Sequence, residues 1–115
     1  MSIENLVEKL LDTPPHRILV SGIKEANYAG YKLEVEAREL NEDGILIPYV
    51  LIRVKKNKKS LLSIETFDLY SWKFLVVYDQ EIKEGVEKAL KRENVRYVVL
   101  NRKPLIYELR QETDY

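Results

Sequence analysis

Glu34 and Glu36 stand two residues apart, and so do Arg53 and Lys55. In an extended strand that spacing places each pair on one face. Two carboxylates beside a lysine form the set a metal-dependent nuclease uses: the carboxylates hold a hard cation, and the lysine stabilises charge on the attacked phosphate. If the chain is catalytic, Glu34, Glu36 and Lys55 are its expected residues. The bland reading of the same groups is a set of cross-strand ion pairs on a wet face, each worth about 0.2–1 kcal/mol. The residues alone favour that second reading.

A second candidate overlaps the first. Arg53, Lys55, Lys56, Lys58 and Lys59 are five cations within residues 53 to 59, around a polar turn. Phosphate backbones bind such clusters through release of counterions, and Tyr49 or Tyr70 nearby offers a ring to a base. Lysines at a turn also guard a sheet edge against pairing with other chains, which needs no ligand. Eight tyrosines and Trp72 are many for 115 residues. If Tyr97 and Tyr107 share a face of the last two strands, that face is a candidate dimer seam, although most of these rings are expected to fill the core.

Other chemistry is poorly represented. His16 is the single histidine and there are no cysteines, so thiolate metal sites, thiol nucleophiles and disulfides are excluded, and no metal or cofactor is expected. No glycine pattern marks a nucleophile elbow beside Ser21, and Gly22 and Gly30 do not frame a phosphate-cradling loop. Nineteen basic against nineteen acidic side chains leave no net charge, so any binding of nucleic acid must come from a local patch. The N-terminus lacks the pattern of a secretory signal and no apolar run reaches membrane-spanning length, so a soluble, cytoplasmic protein is expected. The lack of cysteine and the abundance of Glu, Lys and Arg lean towards thermophile usage.

The elements that must position these residues follow from periodicity. Ile3, Leu6, Val7, Leu10 and Leu11 predict a helix with one apolar stripe, capped by Ser2 and stopped by Pro14 and Pro15. Residues 17 to 22 predict a short strand, and 23 to 30 a connection. Between Tyr31 and Glu39 charged and apolar residues alternate, predicting a strand with one wet face. Asn41 to Gly44 has hairpin-turn chemistry and leads into a strand over 45 to 55, in which Pro48 favours an edge or a bulge. A further strand over 61 to 67 is admissible, and 68 to 73 reads as a turn or short helix.

The apolar run Phe74 to Tyr78 predicts a central strand covered on both faces. Asp79 caps a helix with Ile82, Val86, Ala89 and Leu90 on its buried stripe; Asn94 ends it, and strands over 96 to 100 and 105 to 109 follow. A strand, helix, strand unit with this connection predicts parallel neighbours and a right-handed crossover. The whole is expected to be one α+β domain over residues 1–115, with a mixed sheet of five to seven strands, two helices and a frayed tail at 110–115.

This element order is loosely similar to the restriction-endonuclease-like fold, whose signature puts Asp or Glu, any residue, and Lys on the adjoining strand. Here the matching triplet is Arg53, Val54, Lys55, with a cation in the place of a metal-ligating acid, and Glu81, Ile82, Lys83 lies in a helix. The expectation is therefore a non-catalytic interaction or regulatory module, homodimeric. Nucleic-acid binding through residues 53 to 59 is the alternative, and a divergent nuclease is the third.

Overall fold

The structure is a computed structural model describing residues 3–13, 25–28, 30–67, 72–100 and 103–110. Ser2, Pro14, Pro15, His16, Ser21, Gly22, Tyr70 and Tyr115, with the strand expected over 17 to 22, lie outside the described residues.

Helix α1 (Ile3–Asp12) buries Leu6, Val7, Leu10 and Leu11, the stripe its spacing predicts. Seven strands follow: β1 (Glu25–Tyr28), β2 (Tyr31–Glu42), β3 (Ile45–Lys56), β4 (Lys59–Phe67) and β5 (Trp72–Val77), then, after helix α2 (Lys83–Arg92), β6 (Arg96–Leu100) and β7 (Leu105–Arg110). They form one sheet in the order β1-β2-β3-β4-β5-β7-β6. The α+β class, the two helices and the strand count agree with the sequence reading. Residues 25 to 28, expected to be a connection, are a strand, and Trp72 and Lys73, expected in a turn, open β5.

The β2–β3 and β3–β4 hairpins carry the left-handed residues they need. Asp43 and Gly44 have φ of 52° and 84°, and Asn41 accepts a hydrogen bond from the Gly44 amide at 3.0 Å. At the β3–β4 turn Asn57 and Lys58 have φ of 51° and 65°. Pro48 sits on the part of β3 that β4 does not reach, where a missing donor does not interrupt that ladder.

The expected parallel neighbours are the main correction. Every hydrogen-bonded pair among the described strands is antiparallel, where a mixed sheet was expected. β5 and β6 do run in the same direction, but β7 lies between them and pairs with both. The reason lies in what each strand has to bury. Leu105, Tyr107 and Leu109 alternate along β7 and are all nearly inaccessible, whereas β6 leaves Val98 and Val99 in solvent. The interior position goes to the strand with the larger apolar load, and β6 becomes the sheet's last strand.

Register divides the sheet into two faces. Val35, Ile52, Val54, Leu62, Ile64, Leu75, Val77 and Tyr107 form one core with the stripes of α1 and α2. The other face carries Glu34, Glu36, Arg53, Ser63 and Phe74, and no described helix covers it. Among the described residues, helices cover β5 on one face only, where both faces were expected to be covered. A second, smaller cluster forms on the open face, where Phe67 lies 4.7 Å from Tyr49 and 5.2 Å from Trp72 between ring centroids, and Trp72 lies 4.9 Å from Phe74.

Candidate functional site

β2 and β3 pair with Glu34 opposite Arg53 and Lys32 opposite Lys55, so the alternation of each strand delivers these side chains to the open face. Lys55 Nζ lies 3.1 Å from Glu34 Oε2, Arg53 lies 3.0 Å from Glu36 Oε1 and 3.8 Å from Glu34 Oε2, and Arg38 Nε donates to Glu36 Oε2 at 2.7 Å. The result is a ladder of alternating sign: Lys55, Glu34, Arg53, Glu36, Arg38. Arg38 above all, helped by Arg53, holds the Glu36 carboxyl below its ordinary pKa, while its modest desolvation acts in the other direction.

The four groups named from the sequence therefore come together, and Arg38 joins them. Arg53 stands between the two carboxylates and touches both. A divalent cation bound there would have to displace Arg53 and Lys55. No group of three or more metal-ligating side chains occurs among the described residues.

The basic segment divides in two. Arg53 is engaged in the ladder, and Lys59 lies 3.3 Å from Asp79 Oδ2. Asp79 also accepts from the Glu81 amide at 3.0 Å, and these contacts, the amide first, hold its carboxyl below the ordinary range. Lys55, which is also paired with Glu34 in the ladder, lines a depression of about 290 Å³ with Lys56 and Lys58 and with Gly30, Lys32, Glu34 and Asn57. Lys56 lies over the Tyr31 ring, 5.4 Å from its centroid. Four lysines and one carboxylate thus surround a single hollow.

Sequence reasoning missed Lys32. Its signal was available in register: once the hairpin turn is fixed at Asp43 and Gly44, counting back along both strands puts Lys32 across from Lys55. The edge-guarding explanation for these lysines also loses its premise. β3 and β4 are interior strands, and Lys55 has cross-strand partners on both sides, Lys32 and Ser60.

Tyr97 and Tyr107 do share a face, with centroids 5.8 Å apart, but it is the face under the helices. Tyr107 has no accessible surface, and its hydroxyl donates to Glu87 at 3.1 Å. Desolvation first, then the Glu87 carboxylate, raises its pKa. It belongs to the core, which removes it as an interface residue; Tyr97 is half-buried against the same core.

No family model, curated protein or solved structure matches this chain. No helix among the described residues is long and apolar enough to cross a membrane.

Proposed function

We propose that this protein is a non-catalytic module that binds the phosphodiester backbone of nucleic acid in the depression at the β3–β4 turn. The carrying observation is the direct opposition of Lys32 and Lys55 within a paired region of the sheet, with Lys56 and Lys58 beside them. A second opposed pair, Lys56 and Lys59, closes the next hairpin. With four lysines against one carboxylate the hollow is net positive, and an anion bound in it releases counterions, which favours strands of phosphate over neutral ligands. The ladder supports a binding role over a cleaving one, since cations already engage both carboxylates.

The reading is of backbone contact, and so of binding with little dependence on sequence. Fluorescence anisotropy with single- and double-stranded 20-mers, over a salt series, tests it. The expected result is binding that weakens steeply with salt. In Lys32→Ala/Lys58→Ala the slope of log K against log salt should fall by about 1.4 on single strands or about 1.8 on duplex. A wild-type protein that binds neither at low salt, or a double variant that binds as the wild type does, overturns the proposal.

A further inference from the structure

The two ends of the sheet are built differently. β1 has four residues and begins with Glu25, and beyond it the outer edge of β2 carries Glu36, Arg38, Glu39 and Glu42. Charge of that density is how a sheet edge is kept from pairing with another. β6, at the other end, has the sequence Arg-Tyr-Val-Val-Leu with a single charge, and among the described strands it pairs only with β7. Val98 is 58% exposed and Val99 38%, one on each face of the strand. A hollow of about 560 Å³ is lined by Val95 and by residues of both β6 and β7: Arg96, Tyr97, Val98, Glu108 and Arg110.

We infer that the β6 edge is the docking site for a second copy of this chain, the two β6 strands pairing antiparallel about a two-fold axis through Val98. The sequence is self-complementary in that register. Val98 meets Val98, Tyr97 meets Val99 and Arg96 meets Leu100 of the second copy, so the only charge on the strand faces an apolar residue and no like charges are opposed. The second copy's β6 extends the ladder along the outer side of the strand, and the exposed β-branched pair Val98 and Val99 is enclosed. The axis is normal to the sheet, so both helix layers stay on one side and fourteen strands form one continuous sheet.

This inference rests on β6 alone and stands whether or not nucleic acid binds. Sedimentation velocity of the full chain from about 1 µM to 1 mM tests it, since two paired edges of five residues each make a small interface, and small interfaces are commonly weak. The wild type should sediment as a concentration-dependent dimer, and Val98→Lys and Val99→Lys should each move the midpoint at least tenfold or abolish the dimer. Both positions are exposed, and unchanged circular dichroism and melting temperature would establish that the variants fold. Leu46→Lys, at the tip of the β2–β3 hairpin, should leave association unchanged. A wild type that is monomeric throughout, a dimer that survives the Val98→Lys/Val99→Lys double substitution, or a dimer lost in Leu46→Lys overturns the inference.

Discussion

Glu93 closes α2 beside Asp12, which closes α1. The neighbouring carboxylate, loss of hydration and Glu8 together push the Glu93 carboxyl up to about 7. Between its ordinary value of 4.5 and about 7 the folded chain binds more protons than the unfolded one, so stability falls as pH rises through that window and stays lower above it. Glu93→Gln removes the penalty. It should melt a few degrees above the wild type at pH 8 and close to it at pH 4, and a variant that melts lower than the wild type at pH 8 would refute the assignment. Lys73 is a contrasting buried charge on the helix face: it is 6% exposed, and desolvation lowers its pKa while Asp12 acts in the other direction. Neither feature could be read from spacing, because each depends on which helix ends and strand ends meet.

At the scale of elements, α1 and α2 pack closely and are joined by Arg92, which lies 2.8 Å from Glu4 and 3.1 Å from Glu8. Gly85 makes the approach possible: a Cβ added there would lie 2.8 Å from the Ile3 methyl group. Gly85→Val should force the helices apart and cost about 1–3 kcal/mol, measured by urea unfolding, whereas equal stability would show that Ile3 moves aside freely. Helices α1 and α2, the turns at 43–44 and 57–58 and the wet face of β2 were legible in the sequence, because each is written in local periodicity or in residues that accept positive φ. The Glu34–Arg53 ladder was legible for the same reason. Lys32 was not, since its significance arises from a partner on another strand.

For the whole molecule, the order of strands was the part that sequence could not supply. Local pattern marks 74 to 77 and 96 to 100 as strands in either arrangement, and only the comparison of what β6 and β7 bury decides which is interior. That arrangement predicts a gradient of protection. Amides of β4, β5 and β7, interior and backed by the core, should exchange slowest with deuterium. Those of residues 39 to 47, where β2 and β3 pair with one another and with no other described strand and Ile45 and Leu46 are 66% and 57% exposed, should exchange fastest among the described strands. Uniform exchange across the sheet would contradict this.

The placement of β7 also bears on how the molecule is made. During synthesis from the N-terminal side, β1 to β5 can assemble as a meander of adjacent strands while still attached to the ribosome. α2 and β6 emerge next and have no neighbouring strand to join, because the gap beside β5 belongs to residues 105 to 110. A nascent polypeptide arrested before Leu105 is therefore five paired strands, β1 to β5, and a dangling remainder, and closure of the domain awaits β7.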